Sequence, residues 1–457
     1  MNVLITLSIA GIITMIGSTF KDRSWILAVT LSALAISCYL AGAGWNSNVV
    51  FFDAMRMDNF AIAFTIVCLL AAFILSIIYH QLNYAKDDHY AEVYAIILFS
   101  LAGAVVMVSF TSLLMLFLGI EILSLSLYIL AGLRKKDLLS NEASLKYFLM
   151  GAFSTGFLLF GIAMLYGATG SFMVIDIAYY LGLHQSAPEP FVVAGIIMLM
   201  IGLLFKVAAA PFHFWTPDVY QGSPTIVTGY MATVGKVAAF AAFLRLFQWG
   251  FAPALVSYQF LIAAVAIVTL FVGNIIALYQ KSVKRMLAYS SISHAGYMLL
   301  ALMVTNEISN GAVLFYAIAY TLASVVAFTV VAVLQEKNAG DDTDAFNGLS
   351  KRNPMLAITF AIAMISLAGI PPTAGFFAKF YIFSAAIKDG WVWMVAIAVI
   401  NSFISIYYYF RPVIASFMKK GSDETINISF VMQLLLVLLA VLTLLVGMLP
   451  DWLTGIL

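Results

Sequence analysis

Charged side chains are scarce in this sequence. Asp, Glu, Lys and Arg make up 9% of its 457 residues, whereas about 25% is usual in a soluble globular domain. Hydrophobic residues make up 64%, and the mean hydropathy is +1.05. These values exclude a soluble globule and indicate a protein embedded in the lipid bilayer. The net charge of +1 and the absence of any basic cluster larger than Arg134–Lys136 give no reason to expect a nucleic-acid partner.

The sequence also lacks the usual binding motifs for redox cofactors and nucleotides. Its two cysteines, Cys38 and Cys68, lie in apolar runs without a C-x-x-C partner, which argues against an iron–sulfur cluster or a disulfide framework. Neither a G-x-G-x-x-G after a strand nor a G-K-[ST] phosphate loop occurs, and no soluble segment is large enough to hold a nucleotide. We therefore expect no cofactor, metal or redox centre in this chain.

Long apolar runs are abundant, and each is long enough to cross about 30 Å of hydrocarbon as a helix. The predicted spans are 3–19, 25–45, 59–79, 91–109, 111–133, 143–167, 191–216, 224–249, 254–279, 284–304, 310–335, 354–387, 390–417 and 427–455. Uninterrupted runs such as LLLVLLAVLTLLVG are the opposite of the short alternating segments of a β-barrel. The sequence therefore predicts an all-α polytopic membrane protein of about 14 transmembrane helices, with 1–457 forming one membrane domain.

The basic residues predict the orientation of these spans. Fifteen lysines and arginines lie in the connections after odd-numbered spans, among them Lys281, Lys284 and Arg285. The connections after even-numbered spans contain only Arg56 and Lys388. By the positive-inside rule, the first set faces the cytoplasm and both termini face the opposite side.

Two of the predicted spans contain prolines that should break them. The seventh (191–216) contains Pro211 within AAAPFHFW, and the twelfth (354–387) contains LAGIPPTAGFF. Proline removes a backbone donor and clashes with the preceding turn, so each break should free carbonyl groups near mid-membrane that need buried partners or water. Broken helices at corresponding positions in two halves are typical of transporters.

The positions of the breaks suggest an internal repeat. They are five spans apart, and an odd offset turns the second copy upside down. Glu121 and Lys206 are 85 residues apart, as are His294 and Lys379. We interpret the chain as an inverted five-helix repeat, spans 4–8 (91–249) and 9–13 (254–417), with spans 1–3 (1–80) and span 14 (427–455) added.

Four charged residues lie inside otherwise apolar spans. They are Glu121, Lys206, Lys236 and Lys379. Each charge at the centre of a bilayer costs about 2.5 to 3.5 kcal/mol on insertion scales, so four together cost about 10 kcal/mol. Because packing alone would not favour that cost, we expect these groups to line an ion route. Arginine would not serve there, since it cannot release its proton.

Other polar residues have simpler alternative explanations. Lys146 could belong to the same route or form a helix-surface pair with Glu142, four residues earlier. His294 could relay protons or be a core histidine hydrogen-bonded to Ser290 or Ser291. The run Tyr407–Phe410, next to Arg411, is predicted to be an aromatic belt at the membrane surface.

Four strings resemble the antiporter-like subunits of proton-pumping NADH-quinone oxidoreductase, respiratory complex I. They are FLGIEILSLSLY (117–128), FKVAAAPFHFWTPDVYQGSP (205–224), KRMLAYSSISHAGY (284–297) and SLAGIPPTAGFFAKFY (366–381). The resemblance covers about residues 55–455. Three related subunits share this fold. One of them is much longer, and another usually has glutamate where this chain has Lys379, so the resemblance favours the third.

The resemblance implies a role for each candidate residue. Glu121 matches the glutamate that sets the lysine's proton affinity, and Lys206 matches the lysine that holds the proton. Lys236 matches the connecting lysine, and Lys379 matches the lysine at the exit half-channel, with His294 between them. Lys146 matches a further family lysine.

The resemblance also implies a setting for the chain. It would lie in the bacterial plasma (inner) membrane with both termini periplasmic, and its partners would be the other membrane subunits of complex I. FMN, iron–sulfur clusters and quinone would be bound by other subunits. Two alternatives use the same fold, a subunit of a Mrp-type cation/proton antiporter and a subunit of a membrane-bound hydrogenase. A purely structural scaffold would leave four buried charges without a reason.

Overall fold

A computed structural model describes residues 1–82, 89–184, 189–304, 308–337, 339–422 and 424–450. The helices are α1 (Asn2–Gly17), α2 (Trp25–Ala43), α3 (Asn59–Gln81), α4 (Tyr90–Ser109), α5 (Leu113–Ala131), α6 (Leu138–Thr169), α7 (Val174–Leu183), α8 (Pro190–Lys206), α9 (Trp215–Gly222), α10 (Thr225–Tyr230), α11 (Lys236–Arg245), α12 (Leu255–Leu278), α13 (Val283–Leu299), α14 (Ile308–Glu336), α15 (Leu349–Arg352), α16 (Pro354–Ala368), α17 (Ala374–Lys388), α18 (Val392–Met418) and α19 (Phe430–Met448). A hairpin of two antiparallel strands, β1 (Val49–Phe51) and β2 (Met55–Met57), joins α2 to α3.

Short polar side chains fix where several helices begin. Each accepts a hydrogen bond from a backbone N–H of the first turn, which would otherwise lack a partner. These residues are Asp58, Ser112, Asp137, Ser282, Asn353 and Ser429. These N-terminal capping residues therefore mark the start of each helix in a sequence that is otherwise apolar.

The predicted fold class is confirmed. In the part of the chain that the structure describes, 11 helical stretches are long and apolar enough to cross a membrane. Three predicted spans remain: α1, the pair α8 and α9, and the pair α16 and α17. Together they account for the predicted fourteen, although the predicted end of the last span, 451–455, lies outside the described residues. The sequence did not predict the short helix α7.

Both predicted breaks are present. In the seventh span, α8 ends at Lys206, Ala208 has a φ of +62°, and α9 begins at Trp215. In the twelfth, α16 ends at Ala368, Gly369 has a φ of +81°, and α17 begins at Ala374. A left-handed residue just after a helix ends it by turning the chain away from the axis. Each span therefore consists of two half-helices.

Close packing is repeated in the two halves of the chain. A Cβ atom added at Gly119 of α5 would lie 2.7 Å from the backbone nitrogen of Met107 on α4. One added at Gly273 of α12 would lie 2.6 Å from the backbone nitrogen of Ser293 on α13. The fourth and fifth spans thus pack as closely as the ninth and tenth, as an inverted repeat would require. The boundaries assigned to the repeats stay a prediction.

The eighth, tenth and eleventh spans form the centre of the molecule. The apolar stretch of Val283–Met303 is entirely buried, and the buried share of the corresponding stretch is 94% in Thr225–Gly250 and 89% in Ser309–Glu336. In outer helices such as α6 and α19 that share is only 39%, and these helices expose large apolar side chains, as lipid-facing helices do. The central spans carry Lys236 and His294, so these two residues lie where the molecule is most enclosed.

Candidate functional site

Lys206 is the last residue of α8, at the first break. Its ammonium group is half-buried and donates a hydrogen bond to the hydroxyl of Ser124 on α5. Glu121 lies one turn before Ser124 on the same helix and accepts a hydrogen bond of 2.8 Å from Thr155 of α6. Among the described residues, Glu121 and Lys206 form no ion pair within 4.0 Å, but both lie near Ser124: the amine contacts its hydroxyl, and the carboxylate is one turn away on α5.

A small cavity connects Lys206 with Lys236. Its volume is about 20 Å³, and its lining includes both lysines, Ser124 and Trp215. A space of that size holds about one water molecule, provided that polar groups are present to bind it. The two amines and the serine hydroxyl supply such groups. The structure thus brings together two of the lysines that the sequence singled out.

Lys236 is the first residue of α11 and directly follows a π-helical turn, Met231–Gly235. Turns of this kind are frequent at functional sites because the extra residue changes which side chains face the neighbouring helix. Its side chain is 3% exposed, and its ammonium group donates to both the carbonyl and the hydroxyl oxygen of Ser291 on α13. The charge is therefore fully enclosed, and its hydrogen bonds join α11, in the first half of the chain, to α13, in the second.

His294 lies one turn after Ser291 on α13 and is buried. Its Nδ1 is 2.6 Å from the hydroxyl of Tyr316 on α14, and its Nε2 is 3.0 Å from the hydroxyl of Tyr409 on α18. The interpretation that Ser290 or Ser291 bonds the ring directly was wrong. Ser290 reaches it only through Tyr409, whose hydroxyl is 2.5 Å from the serine Oγ.

The burial of Tyr409 contradicts the prediction that the aromatic run 407–410 lies at the membrane surface. Tyr407 is 65% exposed, but Tyr408 and Tyr409 are fully buried. The signal that was missed is helical periodicity: Asn401, Ser405, Tyr408 and Pro412 share one buried face of α18. An aromatic belt at the membrane surface is therefore wrong for the two buried tyrosines.

Lys379 joins the two half-helices of the twelfth span. It is 5% exposed and donates to the carbonyl oxygen of Ala368, at the end of α16, and to the hydroxyl of Ser402 on α18, each at 2.8 Å. Its amine also lies 4.8 Å from the centre of the Tyr297 ring. A cation at the C-terminal end of a half-helix is favoured by the helix dipole and satisfies a carbonyl freed by the break.

Lys146 differs from these three lysines. Its side chain is 40% exposed and pairs with Glu142 at 2.6 Å, which confirms the helix-surface pair. It also pairs with Asp218 of α9 at 2.8 Å, a partner that the sequence did not suggest. A role for Lys146 in proton transfer stays a prediction.

Two buried cations were missed in the sequence. Arg245 of α11 is 2% exposed, forms an ion pair of 2.6 Å with Asp58, and lies over the rings of Phe60 and Trp249. Lys284, which was assigned to a connection, is in fact 3% exposed within α13. Arg245 could have been found from its position inside the predicted span 224–249, whereas the position of Lys284, at the edge of the predicted span 284–304, gave no signal of burial. Over the described ranges, no group of three His, Cys, Asp or Glu residues is placed to hold a metal ion.

The chain is similar over almost its whole length to membrane subunits of oxidoreductase and antiporter complexes. A model of the family described as NADH:quinone oxidoreductase/Mrp antiporter, transmembrane, matches residues 111–405. NADH-quinone oxidoreductase subunit N of Trichlorobacter lovleyi is 40% identical over 454 residues, 98% of this chain and 93% of the relative. A chain of respiratory complex I from Thermus thermophilus with bound aureothin is 33% identical, with a TM-score of 0.86 over 99% of this chain and 98% of that one. A chain of the Mrp complex from Dietzia sp. DQ12-45-1b has a TM-score of 0.88 at 20% identity, over 99% of this chain and 94% of that one, a likeness of fold alone.

Proposed function

We propose, because the chain belongs to the transmembrane family of NADH:quinone oxidoreductases and Mrp antiporters, that it is subunit N of a proton-translocating NADH-quinone oxidoreductase. In this proposal the chain moves protons across the membrane, while other subunits oxidise NADH and reduce quinone. FMN, the iron–sulfur clusters and the quinone are held by those subunits.

One observation carries the proposal. Three of the lysines that the sequence singled out each donate to a serine hydroxyl on a different span: Lys206 to Ser124, Lys236 to Ser291 and Lys379 to Ser402. A hydroxyl accepts one hydrogen bond and donates another, so it can pass a proton on. Three such pairs suit a relay that runs parallel to the membrane.

The chemistry of lysine suits this role. Burial disfavours the charged amine and a nearby carboxylate favours it, so a buried lysine near a glutamate can be poised between two protonation states. In this proposal, Glu121 is the carboxylate that biases the charge of Lys206. The cavity between Lys206 and Lys236 has room for a water that would carry the proton onward. From Ser291 the route continues to His294 and then to Lys379.

The proposal includes a location and an orientation. The chain would cross the bacterial plasma membrane with both termini periplasmic, because the basic connections would face the cytoplasm. Its outer helices would contact lipid, and its neighbours would be the other membrane subunits of the complex.

Replacement of Lys236 by alanine tests the function. The variant complex should assemble and oxidise NADH, but it should pump fewer protons per NADH in membrane vesicles. The matched control is Lys388→Ala, which removes an exposed lysine at the end of α17 and should pump normally. Assembled Lys236→Ala vesicles that pump at the normal ratio would refute the proposal.

A Mrp-type antiporter subunit is the second candidate, because the Mrp chain shares this fold. A subunit of a membrane-bound hydrogenase is the third. Purification of the native complex distinguishes them, since the proposed function requires co-purifying subunits with flavin and iron–sulfur clusters that oxidise NADH. Co-purification with antiporter subunits alone would favour the second candidate.

A further inference from the structure

Lys284, the second residue of α13, is a buried lysine that the proposed route does not use. Its ammonium group donates to the carbonyl oxygens of Gln221, at 3.0 Å, and Ser223, at 2.6 Å. These carbonyls lie at the C-terminal end of α9 and in the turn that leads into α10. A buried ammonium costs several kcal/mol unless it is well coordinated, and two carbonyls at the negative end of a helix offset that cost.

Arg285, the next residue, contacts side chains of the same half-helix, α9. Arg285 donates to Asp218 at 2.9 Å and to the amide oxygen of Gln221 at 2.6 Å. The other carboxylate oxygen of Asp218 pairs with Lys146 of α6. The second half of the broken seventh span is thus fixed from α13 on one side and from α6 on the other.

The segments that meet at Lys284 lead to the relay. Trp215 begins α9, and its indole N–H donates at 3.1 Å to the carbonyl oxygen of Phe205, next to Lys206. From the turn, α10 runs through the π-helical turn to Lys236. About two turns after Lys284, α13 presents Ser291, the acceptor of Lys236. Lys284 therefore joins α13, which carries Ser291, to the turn from which α10 leads to Lys236.

The acceptors distinguish Lys284 from the relay lysines. Lys206, Lys236 and Lys379 each donate to a hydroxyl. Within the described residues, both acceptors of Lys284 are backbone carbonyl oxygens, which accept a hydrogen bond but have no proton to pass on. The geometry thus suits holding a turn in place and does not suit proton transfer.

We propose that Lys284 is a positioning residue that fixes the turn between α9 and α10 against α13 and so keeps Lys236 aligned with Ser291. This inference rests on the proposed function. To hold the turn, the residue at position 284 needs a long side chain with a cationic hydrogen-bond donor. It does not need to release a proton.

The test compares three variants of the whole complex in membrane vesicles, by the number of protons pumped per NADH oxidised. Lys284→Met removes the donor and should lower the ratio as far as Lys236→Ala does. Lys284→Arg keeps a charged donor that cannot release its proton, and it should restore most of the wild-type ratio. Lys281→Met, which removes an exposed lysine three residues earlier, is the matched control and should pump normally.

The outcomes separate the possible failures. A methionine variant that pumps at the wild-type ratio overturns the inference. An arginine variant that assembles but pumps no better than Lys236→Ala also overturns it, because position 284 would then have to release a proton. An arginine variant that fails to assemble overturns it as well, because Lys284 would then have an unrelated packing role. If the methionine variant does not assemble, the arginine variant alone decides between these results. A normal ratio in Lys236→Ala would instead refute the proposed function.

Discussion

The Nε2 atom of His294 and the hydroxyl of Tyr409 lie 3.0 Å apart and join α13 to α18 inside the molecule. The other ring nitrogen faces Tyr316, so the imidazole lies between two hydroxyls. A neutral imidazole has one donor and one acceptor nitrogen, and a tyrosine hydroxyl can act in either sense. A proton taken up on one side of the ring can therefore leave from the other.

We expect Tyr409→Phe to slow proton transfer through this subunit. The hydrogen bond is worth about 1 kcal/mol, so its loss should slow that step by about fivefold. The matched control is Tyr408→Phe, which also removes a buried hydroxyl, but one that donates to Asn274. Both variants should lose similar stability, and only Tyr409→Phe should lower the protons pumped per NADH. An equal fall in both would indicate a packing effect.

Glu121 and Lys206 should act as one unit. If the carboxylate biases the charge of the amine, as proposed, Glu121→Gln should impair pumping, and the double variant Glu121→Gln/Lys206→Ala should be no worse than the more severe single one. The control is Glu142→Gln, since the exposed Glu142–Lys146 pair is worth only about 0.5 kcal/mol. Losses that multiply in the double variant would mean that the two residues act independently.

The spans and both breaks could be predicted from the sequence because they depend on local properties. A run of apolar residues is compared with a fixed bilayer thickness, and a proline breaks the helix that contains it. Lys206, Lys236 and Lys379 were equally visible, since lysine in an apolar run is rare, although the buried Arg245 and Lys284 were missed. The resemblance to the family added the roles of these residues but none of their contacts.

The partners of those charges could not be predicted, because they depend on how distant helices pack. Ser124, Ser291 and Ser402 are unremarkable serines in the sequence, and only the fold brings each of them to a lysine. Lys284 was misassigned for the same reason. It is close in sequence to the exposed Lys281, and nothing local reveals that the turn after α9 covers it.

Lys379→Arg should give the opposite result to Lys284→Arg. Arginine can keep hydrogen bonds to Ala368 and Ser402, but it cannot release its proton. If Lys379 carries protons, the arginine variant should assemble and lose as much pumping as Lys236→Ala. Lys388→Arg, in an exposed position on the same half-helix, should have no effect. Normal pumping by assembled Lys379→Arg would assign Lys379 a positioning role instead.

The isolated chain should have no NADH oxidation or quinone reduction activity. Flavin, iron–sulfur and haem groups need a nucleotide-binding fold or a set of ligands. This chain offers two cysteines, Cys38 and Cys68, each without a partner thiol, and five histidines. If the chain pumps protons, we then expect the energy to come from neighbouring subunits, and we expect the half-helices on either side of each break to be the elements that change arrangement.

The measurements are the visible absorption spectrum of the purified chain and its NADH-dependent quinone reduction. Neither a chromophore nor turnover is expected, whereas the intact complex, measured in parallel, should show both. The control against loss of structure is the circular dichroism of the purified chain, which should be that of a predominantly helical protein. A bound chromophore, or turnover without partner subunits, would overturn the assignment of this chain as a proton-moving module, because the chain would then carry out the redox chemistry itself.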